Sequence, residues 1–165
     1  GATRMLFTYQ DEIQADLFMG DFVQCHKLSL ETRLALHPVT LTPADLLLTK
    51  LQIHEMNRKD ANDVFMLLLS CSLAAGPDKN KIDSSYIAAL TGKDWGWYTT
   101  VHDNLVFLSK SLPKGLKPAE QQTIRSRLDQ LKDGIEAAPK SVGWKTRNLI
   151  GRRLPWYDEP EEVHR

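Results

Sequence analysis

From Thr42 onward the chain repeats one instruction: a capping residue, then apolar residues at helical spacing, then a breaker. Thr42-Pro43 pairs an N-cap threonine with proline at the first helical position, and Ala44, Leu47, Leu48 and Leu51 follow in register. Asn57 starts a second helix, with Asp60 three residues on as a partial capping box and an apolar stripe of Ala61, Val64, Phe65 and Leu68. Gly76 to Asn80 reads as a loop. Asp83 or Ser84 opens a short helix through Leu90 that Gly92 closes, and Asp94 caps the next one, which carries Trp95, Tyr98, Val101, Leu105 and Leu108. Pro113 to Pro118 is a linker. A long helix from Pro118 to Ala137 places Ile124, Leu128, Leu131 and Ile135 on one stripe, and Pro139 ends it. Ser141 to Ile150 is the last helix. Such a series folds only by packing helix on helix, so this part of the chain is a bundle.

The front is different. Met5 to Tyr9 and Ile13 to Phe18 have β-compatible alternation, and Gln10-Asp11-Glu12 between them reads as a hairpin turn. His26 to Leu30 and Arg33 to Leu36 read as a second strand pair, and Val39 to Leu41 as another extended piece. The expected fold class is therefore α+β: a small antiparallel sheet over residues 1–41, a helical bundle over 42–153 and a tail over 154–165.

The length of 165 residues suits one domain with a real core. Lysine plus arginine and aspartate plus glutamate both number 21, so net charge directs the chain to neither nucleic acid nor membrane. No apolar run reaches the roughly 18–20 residues of a membrane span. Cys25 and Cys71 lack metal-ligand or disulfide-framework spacing, and GATRMLFTYQDEI has no signal-peptide core, so the expected setting is the cytoplasm.

The chemistry-bearing candidates cluster in KLQIHEMNRKDAND, residues 50–63. Lys50 flanks the apolar face of the first helix, while Asp60 and Asp63, three apart, share a side of the second. A tight αα-hairpin brings these charges to one rim, and Lys50 and Asp60 are then within reach of a shared hydrogen bond or a bridging water. A lysine there holds a phosphate as a point charge. An aspartate orients that lysine, holds a metal or takes a proton. The plainer account is that Asp60 and Asp63 favour a helix N-terminus and that Lys50 snorkels. Asp16 is the second candidate, because strands deplete aspartate. It is either a metal-site carboxylate or an exposed edge-strand residue that blocks aggregation. His26, His37, His54, His102 and His164 show no ligand spacing. Trp95-Gly96-Trp97-Tyr98 is able to stack a base, with core packing as the competing role. The basic residues between 139 and 153 face either RNA or the acidic tail that follows them.

ADLF at 15–18, Lys50 and RKDAND at 58–63, in that order, resemble a nucleotidyltransferase-like family related to the abortive-infection (AbiEii/MenT-type) toxin transferases. The C-terminal run APKSVGWKTRNLIGRRLPWYDEPEEV also resembles the end of uncharacterised bacterial members. The resemblance implies a partial nucleotidyltransferase-like sheet and metal-dependent nucleotidyl transfer. It makes Asp16 a catalytic and magnesium- or manganese-binding carboxylate. Lys50 becomes the contact to nucleoside triphosphate phosphates, and Asp60 the group that orients the catalytic machinery, with Arg58 and Asp63 in support. One departure stands out: the family's Gly-Ser turn and paired-acid strand have no counterpart among the fifteen residues before Asp16. The expectation is accordingly a protein that is incomplete or inactive as this chain. The alternative is a non-catalytic interaction module or homodimer-forming domain.

Overall fold

The computed structural model describes residues 3–9 and 13–159. Over these described residues it is an α+β structure, with six helices beside short, two-stranded sheets. Strands β1 (Thr3–Tyr9) and β2 (Ile13–Met19) pair antiparallel, Thr3 opposite Met19 and Tyr9 opposite Ile13. The expected turn at residues 10–12 lies outside the described residues. Strand alternation sorts this hairpin into two unlike faces. Met5, Phe7, Tyr9, Ile13, Ala15, Leu17 and Met19 share one, which carries no charged residue. Leu6, Thr8, Gln14, Asp16 and Phe18 belong to the other. All of these side chains are exposed.

The second strand pair expected at 26–30 and 33–36 does not form. Instead β3 (Phe22–Val23) pairs with β4 (Lys27–Leu28), and Leu34–Leu36 is a turn of 3-10 helix. Val39 to Leu41 is bent rather than a strand. Tertiary contacts override local alternation here. Leu28 is buried in the helical core, and Arg33 turns inward to meet Asp45. Asp45 is fully buried; its carboxylate also accepts from the Thr42 hydroxyl at 2.6 Å, while the Arg33 guanidinium lies 3.5 Å from the centre of the Tyr86 ring. A buried ion pair so enclosed is held by hydrogen bonds on every side.

The helices α1 (Pro43–Leu51), α2 (Arg58–Ser70), α3 (Ser84–Lys93), α4 (Trp95–Lys110), α5 (Pro118–Ala137) and α6 (Val142–Ile150) begin close to where their capping residues predict. Thr42, Asn57, Asp83, Asp94 and Ser141 each accept a backbone N–H of the first turn. A two-residue parallel pairing of β5 (Leu73–Ala74) with β6 (Ile82–Asp83), absent from the sequence reading, ties the α2–α3 loop down. One correction concerns Gly92, which does not close α3 but lies inside it. A Cβ there would sit 2.5 Å from the Pro139 carbonyl oxygen, so glycine serves close approach of backbone, not termination.

The core is one cluster. Leu47, Leu48 and Leu51 of α1 meet Val64, Phe65 and Leu68 of α2, Val101, Leu105 and Leu108 of α4, and the predicted α5 stripe of Ile124, Leu128, Leu131 and Ile135. Among the described residues no helix is long and apolar enough to cross a membrane.

Candidate functional site

The α1–α2 corner is built by sequence-local rules. α1 ends at Leu51, and α2 restarts at Arg58 after Asn57 accepts the Asp60 N–H at 3.0 Å. Between them Glu55 adopts φ 57°, a left-handed conformation that costs a non-glycine residue on the order of 1 kcal/mol. The corner is held from the opposite side by Asn104 of α4. Its buried amide donates to the carbonyls of Leu51 and Ile53 at 2.8 and 2.9 Å, satisfying groups that a helix end leaves open.

This geometry brings Lys50 to both predicted aspartates. Its ammonium donates to Asp60 Oδ1 at 2.8 Å and lies 2.8 Å from Asp63 Oδ2. The other Asp60 oxygen accepts from the Asn57 amide at 2.7 Å. Burial pulls the Lys50 pKa down, but the hydrogen bonds to Asp60 and Asp63 outweigh it, and the net shift is upward. Lys50 is therefore a fixed cation and not a candidate base. Arg58, the first residue of α2, is exposed and makes no ion pair among the described residues. One rim thus carries Lys50, Asp60 and Asp63, with Asp63 the more exposed acid, while helical spacing puts Arg58 on another side of α2 from the two aspartates.

Asp16 lies outside this cluster. It is on the exposed hairpin opposite Leu6, on the less apolar face. The donor set does not fit the divalent metal that the resemblance implies. Asp60 and Asp63 are engaged by Lys50 and Asn57, Asp16 stands apart, and no three acidic, histidine or cysteine side chains converge among the described residues.

Other sequence candidates resolve differently. Of the basic residues between 139 and 153, Lys140 donates to the Ile135 carbonyl and lies over the Tyr98 and Trp144 rings. Arg147 donates to the carbonyls of Gly151, Leu154 and Pro155 and covers Trp95. Arg152 pairs with Asp103 and covers Trp156. Backbone carbonyls, aromatic faces and Asp103 take the place of the tail acids expected as partners; Glu161 and Glu162 lie outside the described residues. His26 is buried, donates or accepts at Thr100 Oγ1 over 2.8 Å, and packs on Trp97. The Arg33–Asp45 pair, which the sequence reading missed, carried one signal: an aspartate at the third helical position after a threonine cap, where a buried partner is needed if the helix face is apolar.

A scan against protein-family models finds no match for this chain, and neither does a search of curated proteins or of solved structures.

Proposed function

We propose that this chain is a nucleotidyltransferase-like protein whose α1–α2 corner binds the phosphates of a nucleoside triphosphate and which does not transfer nucleotides by itself. The observation that carries the reading is Lys50: a partly exposed ammonium, kept charged by two carboxylates at 2.8 Å. An incoming phosphate chain displaces Asp63, the more exposed acid, from Lys50, with Arg58 in the first turn of α2 the further cation the resemblance assigns to it. Asp60 stays, because its second oxygen is tied to Asn57. The resemblance of ADLF and RKDAND to the transferase family supports the same assignment. Transfer itself needs metal-held phosphates aligned with an acceptor, and the described carboxylates do not assemble for that. The free thiols Cys25 and Cys71 agree with a reducing compartment, the cytoplasm.

Isothermal calorimetry with ATP tests the site. The expected result is weak binding by the wild type, loss of that binding in Lys50→Ala, Arg58→Ala, and tighter binding in Asp63→Asn, which removes a competing anion. Equal absence of heat in all three proteins returns the cluster to a plain staple between two helices. Magnesium- or manganese-dependent labelling of an acceptor that Asp16→Ala abolishes would overturn the statement that the chain alone is inactive.

A second reading, a homodimer-forming interaction module, is favoured by a different observation: the exposed, uncharged apolar face of the β1–β2 hairpin. Its test belongs with the assembly of the molecule and is argued below.

A further inference from the structure

The segment after α6 does not leave the molecule. Past a 3-10 turn (Gly151–Arg153), residues 154–158 run back as a strap across the β3–β4 turn and the start of α4. The Asp158 N–H donates to the Cys25 carbonyl at 2.9 Å, and the Arg147 guanidinium donates to the Leu154 and Pro155 carbonyls at 2.8 and 3.1 Å. Tyr157 stacks on His54 of the α1–α2 corner, with ring centres 4.0 Å apart and planes at 12°. Gly96 gives the strap its room: a Cβ there would lie 2.5 Å from the Trp156 carbonyl oxygen. Pro155 to Asp158 thereby close one side of a cavity of about 620 Å³, whose other walls are the β3–β4 turn and the first turns of α4 and α6.

The strap is tied, through one side chain, to a histidine. Trp156 donates its indole N–H to Thr100 Oγ1 at 3.3 Å, and the same oxygen stands 2.8 Å from His26 Nε2. Thr100 and His26 are both buried. An indole nitrogen only donates, so the Thr100 oxygen is the acceptor of the first bond. Its own proton then points to His26 Nε2, which is the bare nitrogen of a neutral imidazole with the ring proton on Nδ1. The relay runs from the Trp156 N–H to the Thr100 hydroxyl to His26 Nε2. A second proton on the ring goes to Nε2 and meets the Thr100 hydroxyl proton. The hydroxyl has to turn away, and a charge appears beneath a segment that shields it from water. The charged groups around the ring pull both ways: Asp94 of α4 and Asp158 of the strap attract an imidazolium, and His54 repels it when charged. Burial outweighs the two carboxylates and favours the neutral ring.

We propose that Trp156, Thr100 and His26 form a proton-operated latch: the strap is docked while His26 is neutral and lets go when His26 takes a proton. Undocking lets water reach the imidazole, so the open form accepts the proton that the docked form excludes. Burial holds the docked imidazole at about 4 against 6.5 for a free one. Docking is therefore at full strength above about pH 6.5 and weakens as pH falls toward 4. The attraction of Asp158 for the imidazolium opposes release and is the smaller effect. The bundle does not need the strap, because none of residues 154–158 belongs to the core cluster. The helices can stay packed while the cavity opens along one side. The latch uses neither Lys50 nor Arg58 and does not rest on the phosphate site.

NMR of isotope-labelled protein reads both ends of the latch. At neutral pH His26 should show the Nδ1–H tautomer, and the Trp156 indole N–H, identified by its loss in Trp156→Phe, should exchange slowly with solvent. As pH falls from about 7 toward 4 the Trp156 signal should move together with the His26 titration, while the amides of α5 hold their positions. Thr100→Val keeps the side-chain shape and removes the hydroxyl. It should speed exchange of the Trp156 indole by roughly tenfold or more and detach its signal from the His26 titration. Tyr157→Ala loosens the strap without touching the relay, and Trp156→Phe keeps an aromatic anchor without the donor. Both should raise the His26 midpoint toward 6.5. The latch is overturned if neutral His26 carries its proton on Nε2, or if the Trp156 and α5 signals are lost together at one pH. It is also overturned if Tyr157→Ala and Trp156→Phe both leave the His26 midpoint where the wild type has it.

Discussion

His26 shows how a single residue couples this fold to pH. It is buried between the β3–β4 turn and α4, its Nε2 on Thr100 and its ring on Trp97. Burial pushes the imidazole down from 6.5 to about 4, against the raising effect of the nearby Asp94 and Asp158 and with a further lowering from His54. The folded protein therefore refuses a proton that the unfolded chain accepts. Stability is full above about pH 6.5 and declines as pH falls toward 4, where the folded imidazole also titrates. The loss attributable to His26 reaches about 3 kcal/mol at most. Asp21 and Asp78, whose carboxyls are held low by hydrogen bonds from Lys27 and Asn80, push in the same direction but are common to any His26 variant. Urea unfolding across that range should show a steep decline for the wild type and a flatter one for His26→Asn, which starts lower. Parallel slopes for the two proteins would show that His26 does not set the acid limit. The sequence marks His26 only as a histidine without ligand spacing. Its burial follows from contacts with Thr100, 74 positions along the chain, which no local pattern encodes.

Helices were legible because the information that makes them is local. Thr42, Asn57, Asp83, Asp94 and Ser141 each bond within the next three residues, and the α5 stripe is a matter of spacing. The Lys50–Asp60–Asp63 cluster was legible for the same reason: ten to thirteen residues and one tight corner separate its members. What local rules misplace is decided by neighbours distant in sequence. The segment from 26 to 36 alternates like a strand pair yet gives Leu28 to the bundle core and Arg33 to Asp45. Gly92 looks like a helix terminator, but α3 runs through it because the α5–α6 turn docks there, with the Ser141 N–H on the Gly92 carbonyl at 2.9 Å and the Ser141 hydroxyl on that of Lys93 at 2.9 Å. Substitution by alanine sets two effects against each other. Helix propensity favours alanine by about 1 kcal/mol. The added methyl meets the Pro139 backbone at 2.5 Å, and overpacking against backbone costs about 1–3 kcal/mol. The contact should win, so Gly92→Ala is expected to lower the thermal midpoint. Gly134→Ala, inside α5 with nothing near its Cβ position, should raise it. If both substitutions stabilise alike, the docking of residues 139–141 on α3 is not the constraint that fixes Gly92.

At the scale of the whole molecule the β1–β2 hairpin stands out. A two-stranded hairpin is marginal in water on its own, and this one exposes its apolar side. Met5, Phe7, Tyr9, Ile13, Leu17 and Met19 are 41 to 63% exposed and, with Ala15, form one uninterrupted face free of charge. Such a surface is larger than isolated exposed residues explain, and burying it gains about 25 cal/mol per Å² of apolar area. A second copy of the chain is a suitable cover. Two such faces stack without burying a charge, and the twofold arrangement is self-complementary. A typical stable complex buries roughly 800 Å² per partner, and a contact confined to one face of a two-stranded hairpin should give a weak, concentration-dependent dimer. Sedimentation velocity over a wide concentration range is expected to show a reversible monomer–dimer equilibrium. Phe7→Glu, in the middle of the apolar face, should abolish it, because a dimer would then bury two unpaired carboxylates. Thr8→Glu, one position along and on the other face, should leave it in place. A monomer at every concentration, or equal sensitivity to the two substitutions, would remove the homodimer reading and leave the apolar face to some partner other than a second copy.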